Sequence, residues 1–202
     1  MLQFYLSKTL AGDLHNHLAE PQAALPGAMQ WYGHRVTVQR RKCVLMMELQ
    51  SRHCIVFAGL TKPDFENFTE LFVERVWREA VSICQLDDDQ SGRLALLARL
   101  VGEQQHYQTG SDRSVQAHLR QAADDLYYIA NQAGRLPDSA EEQFGCGVKI
   151  NQMLRKCKGD KDYFVPLKLF RSFWLSMLEF DQQRQTEKER ELPDNVVPFR
   201  HR

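Results

Sequence analysis

Arg40, Arg41 and Lys42 stand in a row between two runs of strand-forming residues, VTV at 36–38 and CVLMMEL at 43–49. Cations on an exposed turn whose backbone is held by flanking strands are a means of contacting phosphates. Arg35, Arg52 and Lys62 extend such a patch if the strands pair. Trp31, Tyr32 and His34 add rings on which unpaired bases could stack. The same cations would serve an acidic protein surface, or simply be solvated. A formal net charge of zero lacks the bias usual in nucleic-acid binders. The turn holds no Gly or Asn, which predicts a loop wider than two residues or one long bent strand.

A second arrangement is Arg113 and His118, the R-x4-H spacing of the helical ribonucleases called HEPN domains. Histidine titrates near neutrality and arginine can stabilise a charged phosphorane. The bland alternative is a capping Arg and a surface His. In Asp13-Leu14-His15-Asn16-His17 the two histidines would share a face only if extended, and there is no third ligand at a recognisable zinc spacing. Cys54 beside His53 invites a thiol nucleophile, yet it opens the apolar run CIVF and reads as a core residue. Gly145-Cys146-Gly147-Val148-Lys149 lacks the ending of a phosphate loop, and Asp87-Asp88-Asp89 does not fit a calcium loop. No catalytic set, metal motif or nucleotide fingerprint stands out, so neither metal nor cofactor is expected.

Composition sets the frame for these residues. The 202 residues are 43% hydrophobic and 26% charged, enough for a core without disulfides or metal. The five cysteines form no C-x-x-C pair, the usage of a reduced compartment. The opening MLQFYLSKTLAGDLHNHL has neither a basic n-region nor an unbroken apolar core, and FVPLKLFRSFWLSMLEF is too short and too charged for a membrane span. A cytoplasmic location and no membrane association are expected. Charge is uneven: residues 30–62 carry six Arg/Lys against Glu48, while residues 63–106 carry nine Asp/Glu against four Arg. Either the two segments neutralise each other, or they offer surfaces of opposite sign.

The elements follow from periodicity. Residues 2–7 alternate as a first strand, and HRVTVQ, CVLMMEL and HCIVFAG are three short apolar runs with breaks that suit antiparallel neighbours. From Pro63, apolar residues recur every three or four positions through Ile83. Further helices are expected over Ser91 to about Gln105, Ser114–Gln132, Ile150–Lys156 and from Pro166, with a loop around Phe144–Gly147. The expected class is α+β: a small antiparallel sheet of about four strands within residues 1–60, about five helices over 61–180, and a polar, mobile tail over 181–202.

With those elements placed, the chain resembles an uncharacterised bacterial protein family. The resemblance rests on Ser7-Lys8, Trp31, Arg40-Arg41-Lys42-Cys43, Lys62-Pro63-Asp64-Phe65, Arg113-Ser114-Val115 and Ile150-Asn151, and covers residues 1–155. It implies one α+β domain and carries no catalytic role.

The function these residues suggest is a non-enzymatic binding or regulatory module. Its contact surface would be Arg40, Arg41 and Lys42, supported by Arg35, Arg52 and Trp31, and its partner a nucleic acid or an acidic protein. The alternatives are an RNA-cleaving enzyme using Arg113 and His118, and a structural subunit anchored through the last aromatic helix or the Val196–Phe199 stretch. Homo-oligomerisation stays open.

Overall fold

The computed structural model describes the backbone of residues 1–157 and 159–191, with side chains up to residue 184. Five strands form one sheet: β1 (Leu2–Leu6), β2 (Met29–Val38), β3 (Arg41–Glu48), β4 (Cys54–Leu60) and β5 (Gln105–Thr109), in the order β4-β3-β2-β1-β5. The meander β2–β3–β4 is antiparallel, as its short connections require. The expected four-stranded antiparallel sheet is corrected at the other side, where β1 runs parallel to both β2 and β5. Residues 7–28 separate β1 from β2, long enough for a parallel crossover. β5 begins at Gln105, where the expected helix ends, in a stretch for which no strand was expected. Its sequence QHYQT carries one large apolar residue, and pairing with β1 makes it a strand.

Helices cover both faces. α1 (Lys8–Asp13), α2 (Lys62–Glu66), α3 (Phe68–Cys84), α4 (Asp88–Gly102) and α7 (Pro166–Glu191) accompany one side, while α5 (Arg113–Ala133) and α6 (Ala140–Gln152) pack on the other. The strands are accordingly apolar on both faces. Val44 and Met46 of β3 join Phe68, Phe72 and Trp174 in one core, while Cys43, Leu45 and Met47 join Leu119, Leu126 and Ile150 in the second.

The helix starts are written locally. Asp112 accepts from Val115 N to cap α5, and Gly134 ends that helix at φ 70°. Ser139 and Glu142 make a capping box that begins α6, so Phe144–Gly147 is helical rather than a loop and the glycines there form no phosphate loop. α7 continues through Glu191, so the polar segment expected as a tail from 181 is helical at its start, and residues 192–202 lie outside the described residues.

α6 also closes the β4 edge. Asn151 Oδ1 accepts from Cys54 N at 2.7 Å and its Nδ2 donates to Cys54 O at 2.8 Å. Gln143 makes the same pair of contacts with Ala58, at 3.3 and 3.5 Å. Eight helical residues rise about 12 Å and four strand residues about 13 Å, so the two amides meet strand residues four apart in register. Arg75 Nη2 donates to the Val56 carbonyl between them, at 3.5 Å.

Candidate anion-binding site

The β2–β3 turn is tighter than expected. Val38 pairs with Arg41, and the two residues between them, Gln39 and Arg40, both take positive φ, 47° and 62°. That is the type I′ geometry usually given to Asn-Gly, adopted here by two residues with Cβ atoms. Strand alternation then sends Arg41 and Lys42 to opposite faces. Lys42 Nζ meets Asp13 Oδ1 at 2.7 Å, and Arg35 Nε meets the other oxygen of Asp13 at 3.1 Å. Arg41 Nη1 meets Asp138 Oδ1 at 2.7 Å. Each of these cations thus meets a carboxylate, Asp13 being shared by Lys42 and Arg35 and Asp138 by Arg41 and Arg135, and neither carboxylate comes from the acidic 63–106 segment. Arg40 at the tip is exposed and, among the described residues, has no ion pair.

Two residues expected near this patch are elsewhere. Trp31 is 0% exposed and stands edge-on to Phe72, so it offers no face to a base. Arg52 lies in the β3–β4 loop, at the far end of a strand about 26 Å long. That loop is built to hold it. Glu48 Oε2 accepts from Gln50 N, Ser51 N and Ser51 Oγ, and Ser51 Oγ accepts from His53 N. Arg52 itself sits at φ 58°, a conformation a side chain adopts at a cost on the order of 1 kcal/mol.

Beside Arg52 the structure gathers a group that the sequence pattern did not mark. Ser114, His118, Gln121 and Asp125 follow one face of α5 at steps of four, three and four. Arg52 Nη2 donates to Ser114 Oγ at 3.4 Å. About one turn along, Arg155 Nη1 donates to the His118 carbonyl and to Gln121 Oε1, each at 3.2 Å. Arg155 is fixed by paired backbone bonds to Phe164, both 2.9 Å. Arg155, Arg52 and His118 are 1%, 7% and 9% exposed. Several of their polar atoms are buried without a partner: Nε and Nη1 of Arg52, Nε and Nη2 of Arg155, and Nδ1 of His118, whose ring also has a backbone hydrogen bond with Lys156. Nε and Nη2 are the two parallel donors of a guanidinium fork, the edge that grips a carboxylate or phosphate bidentately. An unmet buried donor costs about 1–3 kcal/mol, and more when charged.

Burial and the neighbouring charges act together on these groups. Burial first, then Arg155 and Arg52, holds the His118 imidazole below its usual value. Burial lowers Arg155, with Arg52 adding to the effect against Cys54 and Asp125. Burial also raises the Asp125 carboxyl, against the pull of Arg155. His34 is lowered by burial, then by Arg120 and Arg35. A histidine with a depressed folded pKa contributes stability above its unfolded value, 6.5, and loses it as pH falls toward the folded one. Asp125 acts the other way, but its window opens near 3.8. Thermal melts from pH 7.5 to 5 should therefore show stability falling below about 6.5. The His34→Gln/His118→Gln double variant should flatten that slope, and an unchanged slope would refute the assignment to these rings.

The other candidates disperse. Arg113 and His118, five residues apart, lie about 140° apart around α5 and do not converge. His15 Nδ1 meets the Gly12 carbonyl and His17 Nε2 the Phe65 carbonyl, both at 3.1 Å, so each ring is engaged separately. His53 Nε2 hydrogen-bonds Glu79 Oε2 at 3.1 Å, and burial pushes the Cys54 thiol up to about 12, far from a thiolate. No helix of the described residues is long and apolar enough to cross a membrane.

Fold and site together define an α+β domain with a mixed five-stranded sheet, helices on both faces, and a cationic cluster buried against α5. Residues 3–169 match the family model of a domain of unknown function, DUF6933, and the chain belongs to that family. No curated protein matches it.

Proposed function

We propose that the protein is a non-enzymatic binding module that recognises an anionic group through Arg52, His118 and Arg155. The observation behind this reading is the Arg155 fork, buried with both donors unmet while a second unpaired guanidinium stands about one helical turn away. Two close cations without a neutralising partner are costly alone, and an anion between them offsets that cost. The enclosure favours one compact group, a phosphate or carboxylate presented by a nucleic-acid end or a protein, over a run of phosphates. The hairpin supports the alternative less well, since Arg35, Arg41 and Lys42 already have carboxylates.

The test is thermal stability in phosphate, sulfate or chloride at matched ionic strength. Saturation at 100 times Kd adds about 2.7 kcal/mol, a rise in Tm of about 5–10 °C for a chain of this size. Arg52→Met and Arg155→Met should each abolish the rise. Without ligand, Arg52→Met should change stability by less than about 1 kcal/mol, because it removes unmet donors. Equal melting in the three salts would overturn the reading. So would oligonucleotide binding with a salt slope near −3 that Arg40→Ala weakens, which would return the contact to the hairpin.

A further inference from the structure

Resting on that reading, we infer that the ligand is an α-carboxylate flanked by an N–H donor and an apolar side chain. Its carboxylate would lie on the Arg155 fork, its N–H on Asp125, and its side chain between α5 and α6.

The first ground is an unmet acceptor next to the unmet donors. Asp125 Oδ2 is buried with no hydrogen-bond partner. The carboxylate feels the charge of Arg155, yet no ion pair joins the two among the described residues. A group that met both would have to accept from the guanidinium and donate to the carboxylate. A bare phosphate or a simple carboxylate satisfies only the first requirement. A carboxylate carbon bonded to a carbon that bears N–H satisfies both within a few ångströms.

The second ground is the space beyond. Asp125 forms the rim of a groove of about 590 Å³ between α5 and α6. Tyr128, Ile129, Ile150 and Met153 line it, with Gln132 and Lys149 at its polar side. Tyr128 and Met153 are 66% and 49% exposed, so the groove presents apolar surface to an occupant. Gln121, Asp125 and Ile129 succeed one another at one-turn steps of about 6 Å along α5. Fork, acceptor and apolar lining therefore follow in the order carboxylate, N–H, side chain. Asp125 also disfavours anions that bring no donor, which gives the site a basis for choice.

Calorimetric titration with a matched ligand set decides this. N-acetylphenylalanine carries all three features. N-acetylglycine lacks the apolar body, 3-phenylpropionate the N–H, and N-acetylphenylalanine amide the carboxylate. The first should bind at least tenfold more tightly than each of the others, and Asp125→Ala should erase its margin over 3-phenylpropionate alone. Free phenylalanine, run beside it, separates a free amino acid from a peptide C-terminus as the source. Arg155→Met should abolish binding of all the acids, with Arg52→Met as a second variant should the first fail to fold. Inorganic phosphate is the control for the underlying reading. If phosphate binds in an Arg155-dependent way but the four ligands do not differ, this inference falls and the anion site stands. If phosphate and all ligands fail alike, both fall.

Discussion

Replacing Glu79 by alanine should cost about 3–5 kcal/mol of folding free energy and lower Tm by roughly 10 °C or more. Glu79 is 2% exposed and lies between two side-chain nitrogens: Arg75 Nε, which donates to it at 2.8 Å, and His53 Nε2 at 3.1 Å. Arg75 reaches on to the Val56 carbonyl, and the His53 ring stacks on Phe170 with centroids 3.8 Å apart. One carboxylate thus ties α3 to the β3–β4 loop, to β4 and to α7. Without it, Arg75 keeps a buried charge with no counter-ion, and that desolvated charge sets the magnitude, not the worth of the bonds themselves. Urea unfolding of Glu79→Ala, Arg75→Ala and the double variant measures the coupling. A loss under about 1 kcal/mol in the first would mean that water reaches the cluster and replaces the carboxylate.

Asn151→Ala is expected to lose about 3 kcal/mol, from a different cause. The amide meets one buried N–H and one buried C=O of the same residue, Cys54, and is itself 0% exposed. Alanine leaves both backbone groups unmet at about 1–3 kcal/mol each, and no neighbouring strand can take them over. Asn151→Asp separates the parts: a carboxylate accepts from Cys54 N but cannot donate to Cys54 O. It should be at least as damaging as alanine despite its near-identical shape. If Asn151→Asp melted with wild type, the paired geometry would be refuted. Amide exchange at Cys54 should speed up in both variants.

Much of the fold could be read from the sequence because its signals are local. The meander follows from three short apolar runs with breaks too small for a crossover, and α3 and α5 follow from stripes at helical spacing. What was missed depends on distant partners. β5 is a strand because β1 lies beside it; alone, QHYQT has no apolar alternation to announce it. The direction of β1 hangs on the 22-residue span 7–28, whose length permitted a parallel return. α6 was obscured by Gly145 and Gly147, although Ser139 and Glu142 spell its start.

The site divides in the same way. Arg52 and His118 were singled out, each for another chemistry and with another neighbour. Arg155 was not, since it stands among Lys156, Lys158 and Lys161 in what reads as a solvated turn. Its burial comes from the pairing with Phe164 and from the carbonyl of His118, contacts that no spacing rule announces. The polar row Ser114, His118, Gln121, Asp125 was the available signal: four hydrogen-bonding residues along one face of a helix whose other face is apolar.

The amide seal on β4 bears on how copies of this chain meet. An open edge strand rich in Ile, Val and Phe is a template for another strand, whether a partner's peptide or an identical chain on the way to a fibril. Here Cys54, Val56 and Ala58 already have side-chain partners along that edge, so an incoming strand would first have to displace α6 and the Arg75 side chain of α3. Recognition by strand addition is closed to β4 in the native state. Aggregation through it becomes a question of how often α6 lifts away, and substitutions at Gln143 or Asn151 would set that frequency without touching the strand.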